Sequence, residues 1–145
     1  KRFPLDGYTF HLHTLEEEIR FIEGMNFSSG KKVGLITEIK QPTFHSKEGK
    51  DIARIVFEVL HRHGYGKKGD EACWVQCFEK NTLLRFRKEF GWEGRLMMIF
   101  GAAKPGADGS NYDELAKPAG LRELVGFVDG VFPNIDRVII WESDG

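Results

Sequence analysis

Apolar and polar positions change period several times along the chain. Leu15, Ile19 and Ile22 recur at helical spacing, and Thr14-Leu15-Glu16-Glu17 directly at their start is a capping box. Gly30-Lys31-Lys32 reads as a turn and residues 33–40 as a strand. Ser46 is a candidate N-cap for a helix running to about residue 63, with Ile52, Ile55, Val56, Val59 and Leu60 as its apolar stripe and Gly64 as its stop. Residues 72–78 form the next strand. Asn81 caps a helix carrying Leu83, Leu84, Phe86 and Phe90, and the run 95–100 (RLMMIF) is a third strand. Residues 101–114, rich in Gly, Ala and Asp, read as a loop. Pro118 opens a helix with Leu121, Leu124, Val125 and Val128 inward. Val131-Phe132 starts a fourth strand, and residues 138–141 read as a turn or helix.

Strand and helix thus alternate every ~25–35 residues, which implies βαβ units, a parallel sheet and right-handed crossovers. Nothing in the pattern marks an internal domain boundary. An open doubly wound sheet and part of a (β/α)8 barrel both fit. A full barrel takes about 250 residues, so 145 residues have room for about four strands, half a barrel.

One strand breaks the apolar rule. In GLITEIKQP, residues 34–42, Ile36, Glu38 and Lys40 share one face while Leu35, Thr37 and Ile39 share the other. Parallel strands are usually apolar on both faces because both are covered. In both architectures the C-terminal strand ends are where ligands bind. The plain reading is a Glu38–Lys40 ion pair at a solvated strand end. The functional reading gives the two charges separate roles, since a carboxylate can hold a hard divalent cation and an ammonium can hold a phosphate as a point charge. On the next strand Trp74, Gln76 and Phe78 share a face. There Gln76 is either a hydrogen-bonded core amide or a substrate contact.

Composition narrows the classes. The chain is 41% hydrophobic and 30% charged, as in a soluble globular protein. A net charge of -1, with the basic residues scattered among acids, gives no pull toward nucleic acid or anionic membranes. No apolar run reaches the ~18 residues a membrane span needs. Residues 1–10 lack the long apolar centre of a secretory signal, which a mature secreted chain would also lack. Cys73 and Cys77, four apart on one strand, would have Cα atoms about 13 Å apart, too far for a disulfide. They read as buried thiols acting as small hydrophobes.

The stretch TEIKQPTFHSKEGKDIARIVFEVLHRHGY, followed by VQCF, resembles the glycerophosphodiester phosphodiesterases, especially the larger periplasmic bacterial type. E-I-K, F-H, E-G-K-D-I-A and Q-C-F occur in the family's order and at its spacings, and GFVDGVFPN is similar to its A-D-G-I-G-P-D strand. The resemblance is weakest at residues 101–114. It implies an α/β fold of parallel βα repeats, the middle part of a TIM (β/α)8 barrel incomplete at both ends. Residues 1–145 would be the central portion of a single domain. It also implies that Glu38 is a metal ligand, that Lys40 binds the substrate phosphate, and that Gln76 and Phe78 line the substrate pocket. The cofactor would be a divalent cation, calcium ahead of magnesium, and the partner a small glycerophosphodiester. The location would be periplasmic or secreted. His45 matches a loop histidine of the larger relatives.

The family's acid/base histidines lie in H-R-G and H-D motifs, with two further metal carboxylates in an E-x-D strand. Neither histidine motif occurs among the 145 residues, nor an E-x-D strand between them. The five histidines are His11, His13, His45, His61 and His63. His11 and His13 sit after the H-D position rather than on it, and His61 and His63 sit at a helix end where they meet the carbonyl dipole. These four read as structural or solvated. The expectation is therefore a metal-dependent hydrolase in the whole protein, giving glycerol 3-phosphate and an alcohol, with this chain inactive and a poor calcium binder alone. Two alternatives are a non-enzymatic surface or periplasmic binding module on the same fold, and an unrelated α/β domain.

Overall fold

The computed structural model of the chain describes residues 11–102 and 104–139. The chain divides into two compact units, Lys1–Val33 and Gly34–Gly145.

In the first unit, helix α1 spans Leu15–Ser29. Its start is the expected capping box: Thr14 Oγ1 accepts from the Glu17 amide at 3.2 Å, and Glu17 Oε2 accepts from the Thr14 amide at 2.8 Å. Gly30 ends it in the left-handed conformation at φ 68°, a geometry that costs a residue without Cβ little. Ile19 is fully buried. Asn26 then secures the exit, trading two hydrogen bonds with the Val33 backbone at 2.8 and 2.9 Å.

In the second unit, strands β1 (Leu35–Ile39), β2 (Cys73–Cys77), β3 (Arg95–Phe100) and β4 (Gly130–Pro133) form one four-stranded sheet in sequence order. Every pairing is parallel, as the alternating pattern implies. Helices α2 (Pro42–Lys47), α3 (Ile52–Arg62), α4 (Lys80–Lys88), α5 (Tyr112–Leu115) and α6 (Pro118–Leu124) lie between the strands. The architecture is α/β and consistent with part of a (β/α)8 barrel. Leu35, Ile39, Cys73, Val75, Cys77, Leu96, Met98 and Phe100 are buried along one sheet face. Leu60, Leu83, Phe86 and Leu124 bring the helices' own buried side chains to the core. Emptying one such position, Phe86 for instance, costs about 3–5 kcal/mol. Trp92 packs so closely on Gly66 that a Cβ there would meet its ring at 2.3 Å, and Gly66 also holds φ 85°.

The other face carries Ile36, Trp74, Met97 and Phe132 with Glu38 and Gln76 among them. Ile36 and Phe132 are 64% and 58% exposed. Two apolar faces are what a parallel sheet requires when both are to be covered.

Several boundaries differ from the sequence reading. Ser46 is not an N-cap but lies inside α2. Gly49 breaks the chain at φ 72°, and Asp51 caps α3 by accepting from the Arg54 amide at 3.1 Å. Asn81 does not cap α4 either; the helix begins one residue earlier, with Glu79 as the flanking residue. The 101–114 loop contains the start of α5, capped by Asn111. Ile55 and Val125, expected inward, are 52% and 78% exposed. Pro118 does open α6. After β4 comes a 3-10 turn, Ile135–Arg137; residues 140–141 of the expected last element lie outside the described residues.

Candidate functional site

Glu38 and Gln76 are register partners across the parallel β1–β2 pair. Residues so paired point to the same face, so carboxylate and amide stand side by side at the C-terminal ends of adjacent strands. Lys40, one residue past β1, reaches back to place Nζ 2.8 Å from Glu38 Oε1. Lys40 is 72% exposed and Glu38 21%. Glu38 Oε1 is buried, and the Lys40 ammonium is its close polar neighbour. A buried carboxylate oxygen that already holds an exposed ammonium is a site where positive charge is favoured.

Two loops fix the surroundings. After Lys40 the chain turns through Gln41, the one described non-glycine residue at positive φ (48°), into Pro42 at the first position of α2. Gln41 gives α2 no side-chain cap. Instead Glu79, buried just past Phe78, accepts from the Thr43 amide at 3.1 Å and from the Thr43 hydroxyl. The carboxylate ties the segment following Lys40 to the segment following Phe78.

The loop after β3 lies at the same end. Tyr112 donates its hydroxyl to the Phe78 carbonyl at 3.0 Å, and the two rings meet at 6.4 Å, edge to face. Burial, with nearby negative groups, pushes the Tyr112 phenol up to about 12, so it stays a donor. Ser110 Oγ accepts from the Lys80 amide at 3.0 Å, and Asp108 Oδ2 from the Asn81 amide at 2.9 Å. The cap Asn81 was expected to supply thus comes from this loop. Beside it, Phe78, Ile99, Phe132, Pro133, Ile135 and Val138 line an apolar concavity of about 440 Å³. Of the expected site residues, Phe78 lines it; Glu38, Lys40 and Gln76 do not.

The other candidates separate. His45 sits in α2 with its ring against Phe44 at 5.4 Å. His61 stacks on Phe57 at 5.3 Å in the last turn of α3, and His63 is that helix's C-cap. Both cysteines are buried free thiols, and burial pushes each up to about 12. His11 and His13, read from sequence as structural or solvated, come together with Glu17 in one exposed cluster.

A calcium ion takes about 6–8 oxygen ligands. The Glu38 carboxylate fits such an ion as one ligand, being mostly buried and already engaging a cation, the Lys40 ammonium, through Oε1.

The model of the glycerophosphoryl diester phosphodiesterase family matches residues 1–139. A protein of Haemophilus influenzae named glycerophosphodiester phosphodiesterase is 39% identical over 146 residues, covering 91% of this chain and 40% of that protein. A protein of the same name from Treponema pallidum is 35% identical over 148 residues, covering 92% of this chain and 41% of its own length. The chain spans about two fifths of the length of these curated relatives. With the match running through every strand of the sheet and through Glu38, Lys40, Gln76 and Phe78, the chain belongs to the glycerophosphoryl diester phosphodiesterase family.

Proposed function

We propose that the whole protein hydrolyses glycerophosphodiesters to glycerol 3-phosphate and an alcohol, with Glu38 and Lys40 in its reaction centre. Water adds to phosphorus, the bond from phosphorus to the alcohol oxygen breaks, and the alcohol leaves with a proton. The observation that carries this reading is the Glu38–Lys40 pair at 2.8 Å beside Gln76.

A divalent cation, calcium ahead of magnesium, would be held in part by Glu38 and would polarise phosphoryl oxygens when bound. Lys40 offsets phosphate charge as it grows toward the transition state, and its exposed ammonium is free to swing from Glu38 to substrate. Gln76 orients a substrate oxygen through its amide. Phe78 covers the glycerol end and keeps water from that side. On resemblance to the larger bacterial type, the enzyme works in the periplasm or outside the cell.

The test is release of glycerol 3-phosphate from glycerophosphocholine by the whole protein. Lys40→Ala should lower turnover about 10²–10³-fold, and excess calcium should not restore it. Glu38→Ala should be partly restored by excess calcium. Equal rescue of both variants would contradict the separate roles. A folded whole protein that binds glycerophosphocholine and never cleaves it would instead support a binding module on the same fold.

A further inference from the structure

We propose that the residues leading into α1 form a site for a borderline-soft divalent cation of the zinc class, ligated by His11, His13 and Glu17. The site uses none of Glu38, Lys40, Gln76 or Phe78, and it lies wholly within the first compact unit.

Each of the three residues offers one ligand atom, and these atoms all lie within 4.8 Å of one another. Bonds of about 2.0–2.2 Å to zinc in a tetrahedron set ligand atoms about 3.3 Å apart. All three side chains are exposed, so rotation about their own bonds closes the gap. The backbone already does the larger part of the work. His11 and His13, two apart in the chain, set their rings edge to face with centroids 5.1 Å apart.

The third ligand is placed by the helix cap. Glu17 is the capping-box residue, so its carboxylate is turned back toward the chain that precedes the helix. There the Thr14 amide and hydroxyl donate to Oε2 at 2.8 and 2.9 Å. Both donors fall on one oxygen, which leaves Oε1 to face a cation. Second-partner hydrogen bonds of this kind fix ligand orientation in metal sites. The positive end of a helix opposes a cation, but Glu16, Glu17 and Glu18 in the first turn offset it.

The donor set selects the ion. Two imidazoles and one carboxylate suit zinc, cobalt or nickel and leave a fourth position for water. Calcium prefers oxygen ligands and more of them. The two cysteines cannot compete, since both are buried.

The test titrates the folded 145-residue chain with zinc chloride by calorimetry at pH 7.5, alongside cobalt(II) binding followed by visible absorption. One zinc per chain is expected, with a Kd on the order of 1 μM. His11→Ala and His13→Ala should each weaken binding at least about tenfold, and so should Glu17→Gln, which keeps a capping-box side chain in place. Circular dichroism confirms that each variant folds. His61→Ala, in the same chain, should leave binding unchanged. Zinc affinity unchanged in His11→Ala/His13→Ala, or no zinc bound by the folded parent at 100 μM, would overturn the proposal.

Discussion

Removing the Glu79 carboxylate should unfasten the loop that follows Lys40. Glu79 is 4% exposed, a rare burial for a charged side chain. It accepts from the Thr43 amide and from the Thr43 hydroxyl. Thr43 is the second residue of α2, a position whose amide has no partner inside the helix. The ordinary cap position is held by Gln41, which contributes no side-chain hydrogen bond. The cap of α2 is therefore supplied across the structure, from the segment between β2 and α4.

The cost follows from that count of bonds. A hydrogen bond to a charged group contributes about 1.5–3 kcal/mol, and a buried donor left without an acceptor costs about 1–3 kcal/mol. Thr43 is half-buried, so water can reach part of what Glu79→Ala abandons, and the low ends of both ranges apply. Glu79→Ala should then lose about 3 kcal/mol, Glu79→Gln about 1 kcal/mol because an acceptor oxygen remains, and Thr43→Val about 1–1.5 kcal/mol for the hydroxyl alone. Urea unfolding at pH 7 measures each, with an unchanged m-value as the check that the native state is otherwise intact. The double variant Glu79→Ala/Thr43→Val should be about 1–2 kcal/mol less destabilised than the sum of the singles. A Glu79→Ala protein within about 0.5 kcal/mol of the parent, or strict additivity with Thr43→Val, would refute the tertiary cap.

What the sequence made legible were features whose causes lie within a few residues. The Thr14–Glu17 box closes within one helical turn, and it formed as expected. RLMMIF, flanked by Gly94 and Gly101, became β3 with both ends in place. Period two grouped Glu38 with Ile36 and Gln76 with Trp74 within their own strands, and the parallel register made the two polar residues neighbours.

Misplaced boundaries share a different origin. Ser46 and Asp51 both carry N-cap chemistry, and the choice between them was made by Gly49 turning left-handed. Asn81 also carries cap chemistry, but Asp108 and Ser110 took the role from a loop 27 and 30 residues away. Helical periodicity named Ile55 and Val125 as members of a stripe; whether a stripe is covered depends on what packs against it, which no local pattern encodes. His11 and His13 occupy no acid/base motif position, so their residue types alone say little. Their meaning depends on the direction of Glu17, which the capping box determines.

Two further outcomes are expected. Cys73 and Cys77, buried and with thiols pushed up to about 12, should resist a thiol-directed reagent in the folded chain at pH 8 and react in denaturant; fast labelling of the folded chain would show the core to be open. Asp51 should make part of the stability acid-sensitive. Two hydrogen bonds from Arg85, at 2.8 and 3.1 Å, chiefly hold its carboxyl below the ordinary carboxylate range, with the Arg54 amide adding to them. A carboxyl lowered on folding contributes stability in full above its unfolded pKa of about 3.9, and loses it as pH falls through the lower folded value. Asp51→Asn isolates that charge, since Asn caps a helix as well as Asp does. The pair is well exposed, so the variant should lose no more than about 1 kcal/mol at pH 6. That deficit should shrink steadily below about pH 4 and vanish once parent Asp51 is protonated. Asn keeps the shape and the capping oxygen, so a deficit that stays constant from pH 6 to the acid limit would refute the Arg85-paired charge as its source.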